Sequence, residues 1–596
     1  MADLPNRNEI DPKYRWDLSH IFVTPEAWEQ AFADCEQAIA GFAAWDGRVA
    51  EDPRAAVRAF WALEAKLMPV MEYAFLSREA DNGDPGAQAM AGRSMSLATK
   101  AGAATAFLEP ELLALDEAVL KELCGDPAMA DYDEYLRGLL RMKPHTLPKE
   151  QERLLASLGE VTGAPDNIYS MLTSVDMRFP DLELPDGTRV TLTDSTWAPY
   201  RESSDRALRQ QSFEKIMNGY GAFGSTIAAT YAASVQKDCA LAAARHFADA
   251  RHAAMDPLQI PVEVYDNLVQ VMRESLPTLQ RYLKLRKRVL GVDELHMYDL
   301  YCPLVPDFTM ELPYDKAFDL VLAGLAPMGE DYLAKLREAR DGGWIDVYPA
   351  KSKSGGAFSA GDLRDVHPYV LLNHTDNLDS AFTIAHELGH SMHSFYSNTA
   401  QPLPKADYSL FVAEVASTCN EAVMLRHLLK VYPEPKAQAY LLNHFLEQFR
   451  TTCFRQTMFA EFELAAHRMA ESGQPLTQET LSAAYYQLNK DYYGESCVVD
   501  EWIANEWMRI PHFYRAYYVY VYATGLCAAI SLSERILREG GSAVRDYRRF
   551  LSAGSSVSPI DALKLAGIDM SSPEPLRRAM QVFADTLDAF EKVLDA

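Results

Sequence analysis

The chain has 596 residues, 48% of them hydrophobic and 11% aromatic, which is too long for one typical core and too apolar for a disordered segment. Its 57 basic and 84 acidic residues leave a formal charge of −27 at pH 7, which argues against nucleic acid or an anionic membrane as partner. The eight cysteines are dispersed without a Cys-x-x-Cys pair, so neither a disulfide framework nor a thiolate zinc site is expected.

Residues 1–10 lack the apolar core of a signal peptide, and a cytoplasmic location is expected. Residues 1–200 read as mostly helical, with three/four spacing of Leu, Ala and Phe over 56–67, 116–123 and 149–160. One β signal interrupts them. Alternation on both sides of Pro185-Asp-Gly187 predicts a hairpin within 177–193, and a boundary follows near residue 200. The expected division is a helical lobe over 1–200 and a catalytic domain over 201–596.

Long helices are predicted again over 204–220, 227–239 and 262–290. An irregular stretch follows, Met297-Tyr-Asp-Leu-Tyr-Cys-Pro, whose aromatic residues suit a core better than a ligand site. Residues 343–349 and 367–373 are short strand candidates. The Gly-Gly segment between them, residues 351–358, lacks the Lys-Ser/Thr of a nucleotide loop and reads as a mobile loop beside a strand edge. Such an edge can hold an extended peptide through main-chain hydrogen bonds.

The chemistry begins at His386-Glu-Leu-Gly-His390. Residues four apart share one helix face, so His386 and His390 can grip one metal ion. Glu387 is turned about 100° away, where it can reach a water beside the metal and act as general base. Phe382, Ala385, Gly389 and Met392 supply the apolar stripe of a buried helix, with Asp379 and Ser380 as cap choices. A core helix with two satisfied histidines is the competing reading. Two imidazoles suit Zn²⁺, and a catalytic zinc takes a third protein ligand.

A metzincin would need Gly at 393 and His at 396, where this chain has His393 and Tyr396. His393 lies roughly 10.5 Å along the helix from His386, too far to share one ion, and is expected beside the ligands or on the substrate side. Asp407 is the only carboxylate between His390 and Glu414. A second apolar helix then carries Glu414 and Glu421 seven apart on one face. Carboxylates in such a setting need a counter-charge, which predicts Glu414 as ligand and Glu421 as the holder of a ligand histidine. Asp407 and Glu421 remain the other choices for the third ligand.

Downstream, Glu461, Glu463 and His467 match no standard ligand set and suit solvated or structural roles. In Pro511-His512-Phe-Tyr-Arg-Ala-Tyr517-Tyr-Val-Tyr520, a helix starting after Pro511 would put Tyr517 and Tyr520 on one face. A phenol and an imidazole there can donate hydrogen bonds to a developing oxyanion; aromatic packing is the alternative. The uncharged run 516–532 is broken by Gly525 and reads as a buried helix, not a membrane span.

Together, His386-Glu-Leu-Gly-His390, Phe411-Val-Ala-Glu414-Val-Ala-Ser-Thr-Cys-Asn-Glu421 and the block 510–524 resemble the oligoendopeptidase F branch of the thimet-oligopeptidase metallopeptidases. The likeness begins near Tyr14-Arg-Trp-Asp-Leu-Ser-His-Ile-Phe22 and continues through 454–462. It implies a mainly α fold, with two helical lobes around a deep substrate cleft and a small β-sheet beside a gluzincin-type zinc helix. It implies one Zn²⁺ on His386, His390 and Glu414, and points to His512, Tyr517 and Tyr520 as functional beside Glu387. The spacer between His512 and the tyrosines is shorter here than the glycine-rich one of the thimet branch. The activity implied is internal cleavage of short unstructured peptides. A zinc carboxypeptidase on a similar scaffold, and a peptide-binding protein with structural zinc, stay open at this point.

Overall fold

Helix starts are written locally in this chain. Three helices in succession begin with an oxygen-bearing cap followed by proline: Thr24 before Pro25–Phe42, Asp52 before Pro53–Ala80 and Asp84 before Pro85–Thr105. Each cap side chain accepts a first-turn N–H, while proline has the right φ and lacks the donor that would otherwise be orphaned there. Trp28, Val57 and Leu97 from these helices are buried in one cluster, and the Trp28 indole donates to the Val70 carbonyl at 3.0 Å.

The computed structural model describes residues 4–306 and 308–595. They form two compact units: Met1–Thr146, Thr309–Lys430 and Ala528–Asp569 in the first; Leu147–Phe308, Val431–Cys527 and Met570–Ala596 in the second. The units interleave along the sequence.

The second unit holds the predicted hairpin, reduced to β1 (Leu182–Glu183) and β2 (Arg189–Val190), antiparallel, with Gly187 at φ +83° in the turn. The single helix expected over 262–290 is two, Val262–Glu274 and Leu276–Leu290. Pro277 near the start of the second cannot continue the first, because it has no N–H to give. Between Pro435–Gln448 and Arg455–Glu471 the chain widens into a π-helical stretch, Phe449–Phe454.

The first unit holds a three-stranded sheet. The middle strand is β5 (Tyr369–Leu371), buried throughout, with β3 (Ile345–Asp346) parallel on one side and β4 (Phe358–Ala360) antiparallel on the other. β4 is an edge strand, and it takes in Phe358, the last residue of the segment expected to be loop. Beneath β3, the buried Asp346 carboxylate is held by Lys353 at 2.7 Å and Arg7 at 2.5 Å. Among the described residues no helix is long and apolar enough to cross a membrane.

Candidate metal centre

The first unit carries the histidine motif on α1 (Leu378–Ala400) and the glutamates on α2 (Leu410–Val431). Asn377, not Asp379 or Ser380, caps α1; its side chain accepts the Ser380 N–H at 2.8 Å. The apolar stripe is buried as read, with Phe382, Ala385 and Met392 facing inward.

Gly389 sets how close the two helices come. A Cβ there would lie 2.5 Å from Ser417 Cα and 2.7 Å from the Ala416 carbonyl oxygen. No side chain larger than hydrogen fits against that backbone. Asn420 locks the crossing by donating to the Ala385 carbonyl at 3.0 Å, and Tyr332 in turn donates to Asn420 at 3.0 Å. Sequence reading missed Asn420, although a buried amide demands partners of this kind.

The close crossing brings three ligand atoms together. His386 Nε2 and His390 Nε2 are 3.2 Å apart, and Glu414 Oε2 stands 3.4 Å from the first and 3.5 Å from the second. An ion held tetrahedrally at about 2.0–2.1 Å sets its ligand atoms about 3.3–3.4 Å apart. The triangle therefore fits a zinc-sized ion with one position left over. Ser417 orients the carboxylate, its hydroxyl donating to Glu414 Oε2 at 3.0 Å.

Glu421 meets His386 Nδ1 at 2.5 Å. That contact puts one proton on Nδ1, so a bound ion would take the place of any proton on Nε2. The electrostatics favour positive charge at this point. Burial pulls the His386 pKa down, yet Glu414 and Glu421 push it up to about 10. Burial raises Glu414, but His386 and His390 hold it well below the ordinary carboxylate value. Glu387 is 6% exposed, and burial holds its pKa up against the downward pull of His386 and His390.

His393 lies outside the three residues that could hold an ion. It is buried, stacked on Tyr408 with ring centres 3.6 Å apart, and burial lowers its pKa to about 3. Asp407 is outside the group that could hold a metal ion, which among the described residues comprises His386, His390 and Glu414. Ser359 on β4 and Ser391 on α1 share a hydrogen bond at 2.8 Å, tying the edge strand to the histidine helix.

His512, Tyr517 and Tyr520 belong to the second unit. They do not share one helix as expected. Pro511–Tyr514 is a 3₁₀ turn, Tyr517 sits at φ +53°, and α3 (Tyr520–Glu539) starts only at Tyr520. The strained Tyr517 is held by its N–H, which donates to the buried Glu463 at 2.7 Å. Tyr517 and Tyr520 are buried and both pack on Tyr265, with ring centres 5.8 and 5.2 Å away. His512 is exposed, with Nε2 3.3 Å from the Tyr522 hydroxyl. Glu461 pairs with Arg273 at 2.6 Å, and His467 packs on the Tyr517 ring, so that cluster is structural as read.

Residues 200–582 match peptidase family M3, and residues 111–179 match the oligopeptidase F region that accompanies it. Over 596 residues the chain is 42% identical to oligopeptidase PepF of Bacillus subtilis, covering 99% of this chain and 89% of that one. It is 37% identical to group B oligopeptidase PepB of Streptococcus agalactiae, covering 99% and 98%. The crystal structure of oligoendopeptidase-F from Enterococcus faecium superposes with a TM-score of 0.74 at 33% identity, covering 96% of this chain and 99% of that one.

Proposed function

The chain belongs to peptidase family M3, a family of metallopeptidases, and from that premise we propose that it is a zinc-dependent endopeptidase cleaving internal bonds of short, unstructured peptides. The observation that carries the zinc reading is the 3.2–3.5 Å triangle of His386, His390 and Glu414, with Glu387 next in sequence. Zinc, when bound, supplies a Lewis acid that polarises the scissile carbonyl and acidifies a water. His386, His390 and Glu414 hold the ion, and Glu421 fixes the His386 tautomer. Glu387 accepts the proton of the attacking water on a carboxylate oxygen and delivers it to the leaving amine nitrogen. By resemblance, His512, Tyr517 and Tyr520 are proposed as hydrogen-bond donors to the oxyanion.

Edge strand β4 supports recognition of an extended peptide through its main chain, which tolerates many side chains. The acidic balance favours neutral or basic peptides, and the cytoplasm is the proposed location. Of the other readings, a structural zinc would call for a fourth protein ligand, and the ligand group among the described residues has three. A carboxypeptidase would be stopped by amidating the substrate C-terminus.

The test is an unbiased peptide library, with free and amidated C-termini, digested by wild type, chelator-stripped protein and Glu387→Gln, and read by mass spectrometry. Wild type should cut internally in both sets. Stripped protein should be inactive and recover with zinc. Glu387→Gln should keep its metal and lose nearly all turnover, because an amide cannot accept the water's proton. Wild-type kcat in that variant would remove Glu387 from the chemistry.

A further inference from the structure

The aromatic stretch 297–303, which the peptidase reading does not use, borders a cavity in the second unit. The cavity has room of about 20 Å³ for water-sized particles, and its lining includes Tyr301, Arg201, Arg209, Arg450, Arg455 and Arg509, with Glu506 the single carboxylate on its wall. That is space for one or two waters or a monoatomic ion.

The wall arginines do not all have a carboxylate to themselves, because two of their partners are shared with arginines behind the wall. Seven guanidinium groups, five on the wall with Arg206 and Arg286 behind it, face six carboxylates: Arg201 with Glu202; Arg206 and Arg209 with Asp299; Arg286 and Arg450 with Glu447; Arg455 with Glu506; Arg509 with Asp194; and Asp500 near Arg206. The shortfall is deepest at Glu447, where Arg286 and Arg450, each 1% exposed, divide one carboxylate. Arg450 Nη1 is buried and has no hydrogen-bond partner among the described residues. A buried guanidinium N–H in that position costs free energy unless an acceptor reaches it.

The backbone is shaped to concentrate this charge. Arg450 and Arg455 are five apart, which on an α-helix would turn them roughly 140° from one another. The π-helical stretch Phe449–Phe454 pairs residues five apart instead, and such widenings occur at functional sites. Tyr301 lies between two guanidinium groups, Arg201 at 4.0 Å and Arg450 at 4.6 Å from its ring centre. Burial alone would push its phenol up, yet Arg455 and Arg450 hold it below the ordinary tyrosine value. The potential at the phenol oxygen is therefore positive.

We propose that this cavity is a binding site for a small inorganic monovalent anion of about the size of chloride, held by Arg450 Nη1, Arg455 and the Tyr301 hydroxyl. A water could accept from Arg450 but would leave the charge surplus in place, whereas an anion satisfies the N–H and the charge together. The site is separate from the metal centre in sequence and in fold unit, so it does not depend on the peptidase reading.

Two measurements on the full-length protein test it. Crystals grown in sodium bromide should show an anomalous peak in the cavity against Arg450 Nη1; water density without anomalous signal there would overturn the proposal. Thermal unfolding, titrated with sodium chloride against sodium gluconate at fixed ionic strength, should show a saturable rise in Tm with chloride alone. Tyr301→Phe keeps the stacked ring and removes the hydroxyl, and should shift that midpoint about tenfold or more to higher chloride. Equal response to both salts, or an unshifted midpoint in Tyr301→Phe, would count against the site. Because the bromide experiment uses wild type, a folding defect in the variant leaves the proposal testable.

Discussion

At the scale of single residues, Glu72 shows how burial alone can set a charge state. It is 9% exposed on the helix Pro53–Ala80, its Oε1 lacks a hydrogen-bond partner among the described residues, and burial, aided by Asp362, raises its pKa to about 8. The folded chain keeps that proton while the unfolded chain releases it above the ordinary value of 4.5. Stability must therefore fall as pH rises from about 4.5 to about 8. Glu72→Gln removes this penalty, and should raise stability at pH 7 by on the order of 2–3 kcal/mol and hardly at all at pH 4.5. Urea melts of both proteins across that range measure it; a pH-independent difference would show that the carboxyl ionises in the fold. Tyr520 poses a different question, since its ring is packed on Tyr265 in a buried position. If its hydroxyl serves the oxyanion, Tyr520→Phe should lower kcat about 10²–10³-fold with little change in KM. An unchanged kcat would return Tyr520 to packing alone.

At the scale of elements, the crossing of α1 and α2 does what neither helix does singly. Its geometry rests on Gly389, whose replacement by alanine would favour the isolated helix by about 1 kcal/mol. In the fold, the new methyl meets Ser417 and Ala416 backbone at 2.5–2.7 Å and must push the helices apart. Gly389→Ala should destabilise by about 1–3 kcal/mol and carry Glu414 away from the histidines, so that metal is lost on dialysis. Metal analysis and a thermal melt decide it; full metal retention would mean that the helices yield without moving Glu414.

The same crossing shows what was legible beforehand. Both helices and the ligand spacing follow from local periodicity, and the Glu421–His386 contact follows from the cost of buried charge. The capping Asn377 was not distinguishable from Asp379 and Ser380, because all three side chains can cap. The break at Tyr517 was hidden because a tyrosine at positive φ has no sequence signature; it is stabilised by Glu463, more than fifty residues away in sequence. Strand β4 was short and followed two glycines, so neither alternation nor length marked it. The division into units was invisible for a related reason: it depends on contacts between distant segments, and no local pattern encodes those.

At the scale of the whole molecule, the last segment is the closing piece of the second unit. Helix Glu574–Asp595 packs Phe583 against Phe449 and Phe454, with ring centres 5.1 and 5.4 Å away, and Arg281 reaches Glu591 and Asp588 on it. Removing residues 570–596 should therefore unfold much more than one helix. Hydrogen exchange should reveal lost protection in 276–290 and 435–471; protection equal to wild type there would mean that the helix only decorates a finished core.

The interleaving also dictates an order of events at the ribosome. The first unit lacks its segment Ala528–Asp569, and the second lacks Met570–Ala596, until those residues have been synthesised. Neither can be completed before then, so the apolar faces that these segments cover stay exposed until they emerge, although the core of residues 28–139 can form on its own. Those faces are what a holding chaperone would bind, and because the two completing segments adjoin, the exposure ends for both units within a few seconds of each other.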